Sequence, residues 1–420
     1  MSIVRSLLFG LACLTVSLSA CAFDAPEDAA AARRSRAERA DDTDDEATDT
    51  GADDDTGAPD DTDDTTDTND TNDTDDTDDT TDTNDTEDTD SGEPEDTAVE
   101  DTDPCPRGVV CVTTFPYEHS STTTGAASDV FDAYGCATST DESGPEVLYR
   151  VDVAEDGLLA LSLTDLSTGA DIDVHLLASE DASDCIDRGH EIAAGYVEAG
   201  RYWVVADTWV SGSGDEKDGS YTLTFGLTGV DTLTAAGLGT DFADDSLYAF
   251  DIAWDNGEAD RLQYAITDFS LHSSEARQWV LDLTDGSILY QIYVAHGEGS
   301  SGKDSGEAIE FSNTDNSHQS SLGMMRGGEE YTGAYGDSMR LDGLEADFND
   351  NVRARAIVVH PWEGSRAEYV ARWGETAETW GCPALDDRLS ADVIDIMADG
   401  GLLFFWYPDS EWLRDSTYLP

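Results

Sequence analysis

Between residues 105 and 228, short runs of alternating or β-branched residues recur at turn-length spacing: Glu146 to Val153, Gly157 to Leu163, Ile172 to Leu177, Gly200 to Asp207 and Ser220 to Leu227. Alternation of this kind buries every second side chain against a sheet. Turn signals such as Glu155-Asp156-Gly157 and Glu198-Ala199-Gly200 separate the runs, and no long helical period intervenes. The pattern predicts an antiparallel β-sandwich over 105–228. A connector over 229–261 follows, in which the mixed stretch Leu247 to Leu262 reads as one helix packed on what comes next. From 262 to 420 the pattern turns to strands again. Arg277 to Leu283, a turn at Thr284-Asp285-Gly286-Ser287, and Ile288 to Val294 predict a hairpin. Strands are expected to lead to His360 and over Leu402 to Trp406, with a short helix from Ser390 to Ala398 and Ser390 as its N-cap. The fold class is therefore mainly β, in two folded parts with a few short helices.

The first residues carry a different pattern. Arg5 precedes an apolar core from Leu7 to Leu18, too short to span a bilayer, which ends in Leu18-Ser19-Ala20-Cys21. Small residues abutting a cysteine look like a bacterial lipobox, so residues 1–20 are expected to be a signal peptide and Cys21 a lipidated first residue. An ordinary signal peptide cleaved near Ala20, or an uncleaved anchor, is the other reading. Ala22 after Cys21, by resemblance to lipoprotein sorting signals, points to a periplasm-facing outer-membrane lipoprotein. No later run is long and apolar enough to span a bilayer.

Composition changes the picture between these regions. From Asp41 to Asp103 the chain is almost entirely Asp and Thr with no basic residue. Such a segment has nothing to bury and repels itself, so 22–104 is expected to be a disordered acidic tether. A flexible chain of that length spans roughly 50 Å, and repulsion stretches it further. The repeat lacks the glycine and bidentate glutamate that a calcium-binding loop needs at fixed places. Over the whole chain, 93 acidic residues oppose 21 basic ones, a formal net charge of -72, which argues against nucleic acid or an anionic lipid surface as partner.

Cysteine usage adds chemistry. Cys13 lies in the apolar leader core and Cys21 takes the lipid. Cys105, Cys111, Cys136 and Cys185 form an even set in the sandwich, which in an oxidising compartment favours two disulfides. Of three pairings, Cys105 with Cys111 and Cys136 with Cys185 is preferred. Cys382 is left alone, in Thr379-Trp380-Gly381-Cys382-Pro383-Ala384. About twenty residues upstream, the run Ala356-Ile357-Val358-Val359 ends in His360. A thiol attacks as thiolate and needs a base beside it, which His360 is placed to supply. Gly381 permits a tight turn whose amides, with that of Cys382, converge on an oxyanion, and Pro383 removes the next amide. The competing reading is a buried cysteine acting as a small hydrophobe and a strand-end histidine that only hydrogen-bonds.

Other text surrounds this pair. Val294-Ala295-His296-Gly297, Phe311-Ser312-Asn313, Ser320-Ser321-Leu322-Gly323, Tyr331-Thr332-Gly333, Leu341-Asp342-Gly343-Leu344 and Phe348-Asn349 precede Ala356 to His360 and Trp380 to Ala384. Taken together, residues 262 to 408 resemble the murein L,D-transpeptidase catalytic domain family, a YkuD-like branch of cysteine transpeptidases. Thr379 stands where family members commonly have Ser, Pro361 where they have Gly, and Glu378 where they have Arg. The resemblance implies a peptidoglycan L,D-transpeptidase, or an L,D-carboxypeptidase, with Cys382 as nucleophile, His360 as base and Gly381 in the oxyanion turn. It implies His296, Ser321, Gly323, Tyr331, Arg340, Asn349 and Trp380 as cleft residues, with His296 the alternative base. It implies peptidoglycan stem peptides as partner, no cofactor and no metal. The sandwich, through Leu148-Tyr149-Arg150-Val151, Asp171-Ile172-Asp173-Val174 and Gly200 to Val205, resembles the pre-peptidase C-terminal domain, a secreted accessory module.

Three other readings fall away on chemistry. Gly297 to Asp304 nearly spells a phosphate loop but ends in Asp304, where magnesium ligation needs Ser or Thr. A zinc site from His296, His318 and His360 lacks ligand spacing. Ser320 and Ser321 lack the nucleophile-elbow glycines. The cell-wall cysteine endopeptidases place Cys before His, the reverse of the order here. A non-catalytic peptidoglycan-binding envelope lipoprotein is the remaining alternative.

Overall fold

The computed structural model describes residues 104–420; the leader, Cys21 and the acidic tether lie outside them. Nine strands build the sandwich: β1 (Val109–Val112), β2 (Tyr117–Thr122), β3 (Val147–Val153), β4 (Gly157–Thr164), β5 (Ile172–Leu177), β6 (Cys185–Gly189), β7 (Ile192–Val197), β8 (Gly200–Thr208) and β9 (Ser220–Gly229). They form a five-stranded sheet in the order β1-β3-β8-β5-β6 and a four-stranded sheet in the order β2-β9-β4-β7. All pairs are antiparallel except β1 with β3. Tyr149, Val151, Leu159, Leu161, Val174, Val204, Leu223 and Phe225 meet between the sheets. Disulfides join Cys105 to Cys111 and Cys136 to Cys185.

Strand β4 explains the layer above it. Its run Gly-Leu-Leu-Ala-Leu-Ser-Leu is apolar on both faces because both are covered: Leu159, Leu161 and Leu163 face the sandwich core, while Leu158 and Ala160 join a second core. Two helices follow, α1 (Val230–Ala235) and α2 (Thr240–Asp255). Phe242, Ala243, Leu247, Ala249, Phe250 and Ala253 of α2 are buried in that second core. The helix is bonded to strands on either side. Asp251 accepts from the Tyr196 amide (2.7 Å) and Trp254 Nε1 donates to Asp187 (2.9 Å) on the sandwich side. On the other, Ser246 O accepts from the Tyr264 hydroxyl (2.9 Å) and Asp245 from Trp406 Nε1 (2.7 Å). The helix runs over 240–255, not from Leu247 to Leu262; Asn256-Gly257, with Gly257 at φ +71°, stops it.

The remaining strands are β10 (Gln263–Asp268), β11 (Gln278–Asp282), β12 (Ser287–Ile292), β13 (Gly323–Gly333), β14 (Gly336–Gly343), β15 (Val358–Trp362), β16 (Ala384–Asp386) and β17 (Leu402–Trp406). They make one mixed sheet in the order β12-β11-β10-β17-β13-β14-β15-β16. The expected hairpin is β11–β12, with a register shift at Val280/Leu281. The fully buried β17 lies at mid-sheet, parallel to β10 and antiparallel to β13. Helix α3 (Ala367–Trp373) links β15 towards β16. Helix α4 (Ser390–Met397) buries Val393, Ile394 and Met397, and α5 (Ser410–Asp415) follows β17. Ser390 is the first helical residue of α4, not its cap: Leu389 holds that position and no side chain caps it. Among the described residues, no helix is long and apolar enough to cross a membrane.

Candidate active site

His360 lies within β15 rather than at its end, where β15 and β16 run parallel with His360 opposite Ala384. Carried two residues back, that register sets Cys382 beside Val358, whose amide faces the sulfur. Cys382 itself precedes β16, so the loop rather than strand alternation places its side chain. The loop before β16 is held along the 294–298 segment. The Thr379 amide donates to His296 O (2.9 Å), the Glu298 amide to Thr379 O (2.8 Å) and the Ala295 amide to Ala384 O (3.0 Å). Gly381 has φ +110°, and a Cβ on it would lie 2.7 Å from Gln319 O and 2.9 Å from Ile357 Cδ1. No other residue type fits there without moving backbone.

The protons of Cys382 and His360 are set by their separate neighbours. His360 Nδ1 lies 3.0 Å from Pro361 O. A carbonyl only accepts, so Nδ1 carries the proton and Nε2 keeps its lone pair. His360 is 3% exposed, and Tyr335, at the β13–β14 turn, stacks on its ring at 4.5 Å, with Trp362 edge-on to Tyr335. Burial pushes the imidazole below its ordinary 6.5, against the Pro361 carbonyl. Cys382 is half-buried, its Sγ 3.8 Å from Ala356 O. Burial pushes the thiol above its ordinary 9.0, opposed by the Val358 amide and the charge of Arg355. Both shifts favour the neutral forms at rest, a thiol at Cys382 and an imidazole at His360.

Thr379 takes over local bonding. Its Oγ1 lies 2.8 Å from Cys382 O and 3.2 Å from His296 O, and accepts from the Gly381 amide at 3.2 Å. This alters the expected oxyanion turn, because the Gly381 amide is spent inside the loop. Trp380 is 70% exposed and stacks on His318 at 4.7 Å; His318 Nδ1 in turn meets Glu298 at 2.7 Å.

Four of the residues expected in the cleft lie in the scaffold instead. His296 is buried: Arg277 Nη2 donates to its Nδ1 (2.7 Å), its Nε2 meets Ser301 Oγ (3.2 Å), and Ser301 donates to Glu378. With its basic nitrogen already accepting from a guanidinium, and burial and Arg277 pushing its pKa down to about 3, His296 is not an alternative base. Glu378 closes that chain. Ser321 Oγ donates to Ser312 O (2.9 Å) and accepts from Arg355 (2.6 Å). Asn349 is fully buried, its Nδ2 donating to Leu322 O (2.8 Å) and Met324 O (3.0 Å), its Oδ1 accepting from the Glu345 amide (2.8 Å). Gly323 opens β13 at φ +97°, where a Cβ would strike Glu345. Tyr331 and Arg340 pair with each other on the β13–β14 hairpin, the guanidinium 4.4 Å from the ring centroid and also on Glu329 (3.0 Å).

Sequence reasoning did not find Tyr335 or Arg355. Tyr335 sits in an ordinary-looking turn, Gly333-Ala334-Tyr335-Gly336, and Arg355 is one of two arginines before the strand; only the pairing of β14 with β15 brings the first to His360.

Residues 236–406, a span that takes in α2, match the family model of the L,D-transpeptidase catalytic domain, YkuD_2. No curated protein matches the chain. Among solved structures, an L,D-transpeptidase from Mycobacterium smegmatis is 11% identical, covering 61% of this chain and 93% of its own, at TM-score 0.22. The L,D-transpeptidase LdtMt1 in complex with imipenem is 9% identical, covering 72% and 96%, at TM-score 0.22. The pre-peptidase C-terminal domain of collagenase from Bacillus anthracis is 15% identical, covering 29% and 99%, at TM-score 0.20. At such scores these three likenesses carry no weight beside the family match. Residues 236–406 belong, by that match, to the YkuD-like L,D-transpeptidase catalytic domain family.

Proposed function

We propose that this domain is a peptidoglycan L,D-transpeptidase that works through a cysteine acyl-enzyme on stem peptides. The observation that carries the reading is the His360 ring: pinned through Nδ1 to Pro361 O, it keeps Nε2 as base on the strand paired with the one Cys382 leads into. In the proposed first step the Cys382 sulfur bonds to the carbonyl carbon of the L-configured centre of the diamino acid while His360 Nε2 takes the thiol proton. The tetrahedral oxyanion forms against the Cys382 amide, since Thr379 takes the neighbouring Gly381 amide and Pro383 has none. The bond to D-Ala then breaks, and His360 returns its proton to the leaving amine. An amine from a neighbouring stem resolves the thioester to a cross-link, or water resolves it to a trimmed stem. Trp380, exposed two residues before the sulfur, is the proposed contact for substrate flanking the reacting bond.

L,D-transpeptidase domains act on peptidoglycan peptides in the cell envelope. The leader, the lipidated Cys21 and the acidic 22–104 tether extend the proposal to an outer-membrane lipoprotein that carries its domain across to the wall. Incubation of the reduced protein with a carbapenem, followed by peptide mass spectrometry, tests the chemistry. One adduct on Cys382, lost in Cys382→Ala, is expected; no adduct on folded protein replaces this reading with that of a peptidoglycan-binding lipoprotein. Muropeptide analysis after incubation with tetrapeptide-bearing sacculi separates cross-linking from trimming.

A further inference from the structure

Arg355 precedes Ala356 in the turn that leads into β15, and its guanidinium is directed under the active-site loop. Nη1 donates to Ser312 O (2.5 Å) and Ser321 Oγ (2.6 Å), and Nη2 to Ser317 Oγ (3.1 Å) and Gln319 O (2.6 Å). Nε is buried without a partner. One of these bonds, and the chain itself, lead to the surroundings of the nucleophile. Gln319 O is the atom that Gly381 packs against, since a Cβ there would sit 2.7 Å from it. The next residue, Ala356, is held in the left-handed region at φ +57°, and its carbonyl lies 3.8 Å from Cys382 Sγ.

What Arg355 lacks is as telling. Acidic residues outnumber basic ones 93 to 21 in this chain, and Arg353, Arg366, Arg388 and Arg414 each carry a carboxylate within 3.1 Å. Among the described residues, no carboxylate lies in ion-pair contact with Arg355; carbonyls and hydroxyls hold it instead. Neutral acceptors fix a guanidinium in place without cancelling its charge.

We propose that Arg355 is a positioning residue for the nucleophile, a cation held by neutral acceptors rather than in an ion-pair contact, so that its charge balances the one that develops on the Cys382 sulfur. Burial pushes the Arg355 guanidinium below its ordinary value and the Cys382 thiolate opposes this, while on the sulfur the guanidinium favours the thiolate. Asp315 is the other acid acting on Arg355, and the Val358 amide the other group favouring the thiolate. A half-buried sulfur that must lose its proton to His360 gains most from such a charge, because the surrounding protein screens it less than water does.

The inference rests on Cys382 as nucleophile for its purpose but not for its test, since alkylation needs no peptide substrate. The measurement is the rate of iodoacetamide labelling of Cys382 against pH in the full chain, localised by peptide mass spectrometry. Arg355→Gln keeps a donor for the loop carbonyls and removes the charge. It is expected to move the midpoint up by about one pH unit, slowing labelling near neutrality roughly tenfold, as loss of a neighbouring opposite charge does. Arg355→Lys keeps the charge and should label within about threefold of wild type. An unmoved midpoint in Arg355→Gln overturns the proposal, including a case where the rate changes by one factor at every pH because the loop has loosened. So does Arg355→Lys shifting as far as Arg355→Gln. If Arg355→Gln does not fold, the ¹⁵N resonance of Arg355 Nε in wild type carries the test: it should step at the Cys382 midpoint and stay flat in Cys382→Ala, and a flat resonance in wild type overturns the proposal. Normal labelling behaviour without a carbapenem adduct instead removes the transpeptidase reading and leaves this one standing.

Discussion

A thiol and an imidazole react together only if one arrives neutral and able to accept what the other gives up. Burial of both Cys382 and His360 favours their neutral forms, so in the proposed mechanism attack proceeds by proton transfer to Nε2 rather than from a standing thiolate. His360→Gln keeps a polar side chain in the strand but no base of useful strength. Carbapenem acylation is expected to fall by roughly 10²- to 10⁴-fold with the melting temperature little changed; a fall below tenfold would remove His360 from the base role. The two proposed reacting residues stood out in sequence as the cysteine left over from the sandwich's even set and the histidine that follows the run Ala356 to Val359. His296, Ser321, Gly323 and Asn349 were misread as cleft residues because a motif reports that a residue type matters, not whether it touches substrate. Asn349 matters by tying Leu322 O, Met324 O and the Glu345 amide into one corner. Gly323 matters for its backbone conformation.

At the scale of elements, the β13–β14 hairpin does more than extend the sheet. Its turn lays Tyr335 on the imidazole, and Gly336 at φ +112° gives the turn its shape. Because desolvation is what lowers the His360 pKa, uncovering the ring should raise it towards 6.5. A base must be neutral to accept a proton, so the acid limb of acylation, which lies below 6.5 in wild type, should move to higher pH in Tyr335→Ala while the rate near pH 8 holds within about threefold. Acylation rates from pH 4.5 to 8 decide this, and an unmoved limb would show that Tyr335 does not control the hydration of His360. Sequence periodicity located the β11–β12 hairpin, β15 and β17, whose runs are apolar or alternating. It passed over β6 and β7, where Cys185 to Gly189 is half-buried throughout and Ile192-Ala193-Ala194-Gly195 offers small side chains with little contrast. It also misplaced α2 by half its length, since Asp241, Asp244 and Asp245 made a buried helix look like a solvated segment.

At the scale of the molecule, α2 is the layer through which the sandwich and the transpeptidase sheet share one core, with Leu158, Ala160 and Ala194 on one side and Tyr264, Ile266 and Phe404 on the other. No periodicity argument reads such a layer, because the apolar positions of β4 on its two faces belong to two different cores. The contact carries its own titration. Asp187 on β6 accepts from the Ala194 amide (2.9 Å) and from Trp254 Nε1 of α2 (2.9 Å), yet its enclosure, with Asp251 nearby, pushes its carboxyl up to about 6. A carboxyl whose folded pKa is raised contributes stability that is complete below its unfolded value of about 3.8 and is lost as pH rises through about 6. The packing of α2 against the sandwich should therefore weaken between pH 4 and pH 7, in the direction opposite to an ion-paired carboxylate. Asp187→Asn keeps an oxygen for both donors and removes the charge, so thermal unfolding of this variant should be a few degrees higher than wild type at pH 8 and nearly equal at pH 4. A variant less stable than wild type at pH 8 would mean that the ionised carboxylate, through its two hydrogen bonds, stabilises the contact after all.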